Sequence, residues 1–503
     1  MRTLTSLTAA VLLAASCNED ELVQLDPNSL TPATYFSTQE QVEAPLFASY
    51  GAQQSSRLGS RLYFFINDLR SDEVAGTQAL FATGQRLTRG EQLPTDGEIN
   101  EFWTGLYRMV HHANTALEGF EINRSREEAL DEDVLSTLTG EARFLRGWAY
   151  NELATHFGDV PLYMQRVTEA DGTQGRAPRA EVMDFAQADL AAAADLLPDE
   201  WEAKFQGRAT RGAALGILAR SHMQEGELAE ARAALETIIE EGNYALVDDY
   251  GSLFTEENDF LDESLYEIVF SPIGGFNWNG EGVGAAARSV RAQEYGPNWH
   301  NVQPTQRFVE AFSSEECGDD FTDPRLAENV LFRGDTIPNG DTILQNLNGS
   351  FFVYCDADSV YASWYKYGVY YKETPGGFRL TNTNLLIMRY ADVLLLLAEI
   401  EARQGDDEAA RSLVNQVRER AGVPALEDES GDELLFAVQH ERFVELGGEQ
   451  VRFRDLQRWR DDGILPDEYE LSYYQPKDRL LPIPQSEIVN NPNISVDDQN
   501  PGY

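Results

Sequence analysis

The 503-residue chain carries 85 acidic against 39 basic side chains, a formal charge of −46. So negative a surface repels nucleic-acid phosphates and anionic lipid headgroups, which excludes both as binding partners. The length permits a large core and roughly two to four domains, and the acids are spread as on a solvated folded surface suited to a saline habitat, not gathered in a tail.

The chain begins with Arg2, an apolar run from Leu4 to Ala15, the small residues Ala14, Ala15 and Ser16, and then Cys17. The run is shorter than the ~20 residues a membrane helix needs and is broken by Thr5, Ser6 and Thr8. Basic start, short apolar stretch and small residues are the layout of a secretory signal. With Cys17 at the cut, the segment resembles the lipobox of bacterial lipoproteins, although Ala14 stands where that pattern prefers Leu. The resemblance implies a signal peptide over 1–16, a lipid on Cys17 and a tether over 17–37. The alternative is an ordinary signal peptide that happens to contain a cysteine. No later stretch could span a membrane, since "ADVLLLLAEI" (391–400) holds Asp392 and Glu399 and reads as a buried helix. Cys317 and Cys355 are left either as a pair or as two thiols, and no C-x-x-C pattern suggests zinc.

Residues 38–250 read as mostly helical. Trp103, Leu106, Val110, Ala113 and Leu117 form one apolar stripe, and Val134, Leu138, Ala142, Leu145, Ala149 and Leu153 another. The second helix is expected to stop at Gly158, with Pro161 just beyond. Within "FLRGWAYNEL", Trp148 is expected to pack between helices while Arg143 and Arg146 snorkel.

An internal repeat follows. Leu218, Ala219, Gly226, Ala231 and Arg232 recur at one constant offset as Leu397, Ala398, Gly405, Ala410 and Arg411. Each copy reads as helix, turn at Gly, helix, which resembles a tetratricopeptide hairpin. Between the copies, residues 251–383 are rich in Gly, Asn, Asp and aromatics and read as a loop-rich lobe, with "SLYEIVF" (264–270) as a strand. Residues 384–503 return to helix. The predicted fold is mainly α: a tetratricopeptide-like scaffold carrying an irregular lobe with short strands. Loops on a rigid scaffold are where binding is usually placed.

Catalytic patterns are missing from the sequence. His440-Glu441 begins like H-E-x-x-H, but Val444 stands at the fifth position. There is no G-x-S-x-G, P-loop, Rossmann or EF-hand pattern. Glu441, Arg442, Glu445, Arg454, Asp455 and Arg458 alternate in sign and read as a structural ion network. A binding protein is expected, with neither cofactor nor metal.

Seven stretches in order resemble the SusD/RagB family of outer-membrane nutrient-binding lipoproteins: "FSTQEQVEAPLFASYG" with "DLRSDE", "FWTGLYRMVHHANTAL", "GEARFLRGWAYNELATHFGDVPL", "RATRGAALGILARSHMQEG", "IMRYADVLLLLAEIEARQG", "HERFVELGGEQVRFRDLQRW" and the terminal "LLPIPQSEIVNNPNI". Departures are small, such as Met109 and Gly447. Asn18-Glu19-Asp20-Glu21 likewise resembles the surface-export signal of Bacteroidetes-type lipoproteins. The resemblance implies a lipid-anchored protein on the outer face of the outer membrane. It would capture oligosaccharide and deliver it to a SusC-like TonB-dependent transporter.

Sugars bind by laying C–H faces on aromatic rings while a few polar groups fix the hydroxyls. Trp103, Trp148 and Trp459 are expected in the core, Trp201 is undecided, and Trp278, Trp299 and Trp364 fall in the loop-rich region. The candidate ligand residues are Asp72 and Phe81 in the early loop, and Trp278, Tyr295, Asn298 and Trp299 in the lobe. Two alternatives remain: a RagB-like peptide carrier, and a tetratricopeptide scaffold that only holds other proteins.

Overall fold

A computed structural model describes residues 32–168, 172–273, 276, 288–297, 299–313, 322–332, 335, 362–368 and 380–503. Helix α1 (Gln39–Gln54) starts at a capping box. The Thr38 hydroxyl accepts from the Gln41 amide at 3.4 Å, and the Gln41 side chain accepts from the Thr38 amide at 3.2 Å. Two helix donors that would otherwise be orphaned are thereby satisfied. Then come α2 (Gly97–Arg124), α3 (Glu132–Phe157), α4 (Arg179–Leu196), α5 (Arg211–Glu225) and α6 (Leu228–Glu241). Beyond the lobe lie α7 (Tyr390–Gln404), α8 (Asp407–Ala421), α9 (Gly431–Glu445) and α10 (Arg452–Asp461). Each of α1 to α8 packs on the next, α6 on α7 included, so the array continues across the point where the lobe is inserted, and α10 packs back on α5.

The repeat is real hairpin geometry. Gly226 (φ 74°) and Gly405 (φ 84°) end α5 and α7 in the left-handed conformation, which glycine adopts without a Cβ clash. Ala219 with Ala231, and Ala398 with Ala410, are fully buried where the paired helices approach. Helix α3 stops at Gly158, as its sequence indicated. Trp148, Phe144 and Leu145 are completely buried, and such aliphatic and Phe side chains contribute roughly 1.5–3 kcal/mol each.

Arg146 does not snorkel. Its Nε and Nη2 donate to the two Asp189 carboxylate oxygens at 2.6 and 3.0 Å, and its Nη1 donates to Asn114 Oδ1 at 2.6 Å. A carboxylate on the facing helix gives the guanidinium a fork-shaped partner inside the protein, which sequence alone does not reveal.

Among the described residues eight short strands form four antiparallel pairs: β1 (Val74–Gly76) with β5 (Val302–Pro304), β2 (Val160–Pro161) with β3 (Arg176–Ala177), β4 (Ser264–Ile268) with β8 (Leu385–Arg389), and β6 (Val330–Phe332) with β7 (Ala362–Trp364). Two of these pairs, β1–β5 and β4–β8, stitch the lobe to the frame. Trp364, read as a loop residue, is buried in β7 against Phe308 at 4.9 Å.

The charged positions of the C-terminal helices form a buried network. Arg389 donates to Glu263, Glu445 and Glu449 at 2.6–2.8 Å. Arg325 reaches Glu441 at 2.7 Å and Glu445 at 2.6 Å, and Arg442 joins Asp392 at 2.7 Å to Asp455 at 2.9 Å. Burial would raise the Glu445 carboxyl, but the Arg420, Arg389 and Arg325 guanidiniums overcome it and hold the group well below the usual range. Asp392 is held at about 2 in the same way, by Arg220 and Arg442 against its own burial.

Candidate functional site

The early loop and the lobe meet where β1 joins β5, in the register Val74↔Pro304, Ala75↔Gln303 and Gly76↔Val302. The Thr77 amide extends this pairing to the Asn301 carbonyl at 2.9 Å, and its hydroxyl donates to the His300 carbonyl at 2.6 Å. His300 holds a left-handed φ of 51°. A side chain of that size keeps such a conformation only where its surroundings over-determine it.

A mixed aromatic and polar patch lies beside this seam. Arg61 immediately precedes the short helix Leu62–Asp68, and its guanidinium sits 4.7 Å over the Phe81 ring while Nε donates to Glu294 Oε1 at 2.8 Å. The Asn301 amide donates to the other Glu294 oxygen. Phe81 meets Phe65 edge-on at 5.0 Å, and Phe65 in turn contacts Tyr295 at 5.7 Å. Phe81 and Trp299 are half-buried, so part of each ring system faces solvent. Glu294 is fully buried and Asn301 nearly so, so the surface presents aromatic rings and a guanidinium, with the carboxylate and the amide beneath them.

Asp72 and Tyr295 lie beneath this surface rather than on it. The Asp72 carboxylate accepts from Arg452 Nε at 2.7 Å and Nη2 at 2.8 Å. The Tyr295 hydroxyl donates to Asp68 Oδ2 at 2.7 Å, and both candidates are buried. The Arg452 partner is 380 residues from Asp72, so nothing in "DLRSDE" marks which acid turns inward. Trp278 and Asn298 fall outside the described residues, as do Cys17, Cys317 and Cys355. Arg61, Glu294 and Asn301 were not singled out from sequence; Arg61 stands four residues before Phe65, the only local hint.

The acids under the face are unevenly paired: Asp72 faces Arg452 at 2.7 Å and Arg307 at 3.7 Å, and Asp68 faces Arg291 at 3.4 Å. Glu73 is buried, and neither of its carboxyl oxygens reaches a donor at hydrogen-bond distance among the described residues. Burial, then Asp68, push it well above the usual carboxylate range, and the Gly448 amide only partly offsets them. Asp68 is raised too, first by burial, with Arg291 opposing.

Two family models match the chain: one described as "SusD family" over residues 263–478, and one described as "Starch-binding associating with outer membrane" over 31–223. A SusD-like protein of Formosa agariphila is 25% identical, and the match covers 99% of each chain. One of Bacteroides ovatus is 24% identical over 97% of this chain and 96% of its own. Among solved structures, a SusD-like carbohydrate binding protein from Bacteroides fragilis superposes with a TM-score of 0.77 at 21% identity, covering 92% of this chain and all of that one. A laminarin binding SusD-like protein gives 0.74 at 23% identity, covering 93% and 100%. Among the described residues no helix is long and apolar enough to cross a membrane. Motif order, the helical array with its inserted lobe and both family models agree, and the chain belongs to the SusD/RagB family.

Proposed function

We propose that this chain is a lipoprotein held on the outer face of the outer membrane through Cys17, which captures oligosaccharide and passes it to a SusC-like TonB-dependent transporter without altering it chemically. The observation that carries this reading is the composition of the seam surface. Phe81 and Trp299 offer ring area for a sugar's C–H face, and the partly exposed Arg61 guanidinium, held by the buried Glu294, offers donors to its hydroxyls. Asp72 and Tyr295 support the face from below, through Arg452 and Asp68. Trp278 and Asn298 are further candidates for the same ligand. Several structural relatives are glycan-binding proteins, a laminarin binding SusD-like protein among them, which favours glycan as cargo.

Calorimetry of the purified protein against neutral glycans and short peptides tests this. A glycan is expected to bind, and Phe81→Ala or Trp299→Ala should each weaken it about three- to tenfold, with an unchanged melting temperature. Unchanged affinity in both folded variants removes the face. Binding of peptides alone redirects the cargo, and binding of neither leaves a scaffold. Release of new reducing ends would show catalysis.

A further inference from the structure

A second concave surface lies on the helical frame, away from the seam. Trp103, Tyr107 and His111 follow one another at four-residue steps along α2, and Tyr163, Gln165, Arg166 and Val167 face them from the segment after β2. They enclose a groove of about 400 Å³. That volume falls in the range of small-ligand sites, roughly 300–1,000 Å³.

The rings form a continuous wall. Trp103 and Tyr107 are 4.9 Å apart, and Tyr107 and Tyr163 are 5.8 Å apart. Both tyrosine hydroxyls are engaged: Tyr107 donates to the Pro161 carbonyl at 2.7 Å and Tyr163 accepts from the Gln174 amide at 3.3 Å. The rings are therefore fixed before any ligand arrives. Trp103 is different. It lines the groove at 4% exposure, yet its indole N–H has no hydrogen-bond partner among the described residues. The N–H is open to the groove rather than sealed off, so a hydroxyl oxygen entering there can accept from it in place of water.

The charges at the rim are balanced. Arg166 is clasped by both Glu118 oxygens, and Arg108 is opposed in sign by Glu487. Burial, then Arg166, lower the His111 ring's proton affinity, so at neutral pH it adds no cation. Fixed rings, a donor awaiting a hydroxyl oxygen and no net charge suit a neutral sugar.

We propose that this groove is a second saccharide site, taking a short neutral oligosaccharide against Tyr107 and Tyr163 with a hydroxyl accepting from the Trp103 indole. With the seam surface it would let one chain hold a glycan at two points, which raises avidity without new contacts at either.

The test uses the indole resonance of Trp103 in ¹⁵N-labelled protein, assigned with Trp103→Phe, during titration with laminari- and malto-oligosaccharides. The resonance should shift, and Tyr163→Ala and the surface variant Gln165→Ala should weaken that event about three- to tenfold while leaving binding at Phe81 unchanged. Gln165 is exposed, so its variant separates ligand contact from folding. No shift with any oligosaccharide overturns the proposal, whether or not the seam binds. A shift lost with Phe81→Ala but kept with Tyr163→Ala also overturns it and leaves the seam reading intact. A shift with apolar peptides alone makes the groove a peptide dock and defeats the proposal.

Discussion

The C-terminal ion network and the acids beneath the seam are built from the same parts, buried carboxylates and arginines, yet they behave oppositely. Around Glu445 three guanidiniums converge, and Arg389 has donors on three different glutamates. Under the seam, Asp68 faces Arg291, Asp72 faces Arg452 and Arg307, and Glu73 has no guanidinium at salt-bridge distance among the described residues. Arg452 is committed to Asp72, and Arg291 directs Nη2 to the Gly448 carbonyl at 2.6 Å while reaching Asp68 only at 3.4 Å. The cations facing each acid, not burial alone, decide the outcome: burial raises Asp68 and Glu73, while at Glu445 and Glu449 the guanidiniums reverse it. The frame is therefore tied by charge, while the surface that would bind ligand rests in part on Asp68 and Glu73, which burial disfavours.

The largest effect is expected from breaking the network. Arg389→Met leaves Glu263, Glu445 and Glu449 buried without their main partner, a loss of about 3–5 kcal/mol at neutral pH. Urea denaturation measures it, and a loss below about 1 kcal/mol would show that the network is incidental. The pH dependence gives the sign. Glu445 is lowered in the fold, so its stabilisation is present above its ordinary range and is lost as pH falls. The deficit of Arg389→Met should accordingly shrink toward pH 3.

A smaller effect of opposite sign is expected at Glu73. A carboxyl raised in the fold stabilises fully below its unfolded value and costs stability as pH rises toward its folded value. Glu73→Gln removes that cost, so melting curves should favour the variant at pH 7 and coincide with the parent near pH 4. Coincident curves at both pH values would erase the contrast between the two regions. Asp259 offers a milder instance. Burial, then Glu267, push it up to about 7, so the parent should lose stability from about pH 4 to 7, and Asp259→Asn should flatten that slope.

These particulars also show what could be read in advance. Helix positions, the stop at Gly158, the two hairpins and the buried network were legible because period, breaker and charge alternation are local signals. The seam was only half legible. Phe81 and Trp299 were reachable as aromatics in loop sequence, but Arg61 meets Glu294 across 233 residues and Asp72 meets Arg452 across 380. Contacts that distant leave no spacing pattern, so the turn of Asp72 and Tyr295 inward could not be foreseen. The groove was missed for another reason: Trp103 and Tyr107 lie on an apolar stripe, and period alone does not distinguish a core face from a groove floor.

The smallest effect concerns the exterior. Each network arginine is cancelled by an acid inside the protein, so burying these pairs withdraws basic residues from a chain that has only 39 and leaves the excess of acids outside. Raising salt from about 0.1 to 1 M shortens the screening length from about 10 to 3 Å. Exposed acids then repel one another less, while the dry pairs around Arg389 are scarcely screened. The melting temperature should rise modestly with NaCl, and by the same increment in Glu73→Gln, whose altered group is buried. If salt instead lowers stability, exposed ion pairs outweigh surface repulsion, and the frame owes more to its solvent-facing charges than to the pairs inside it.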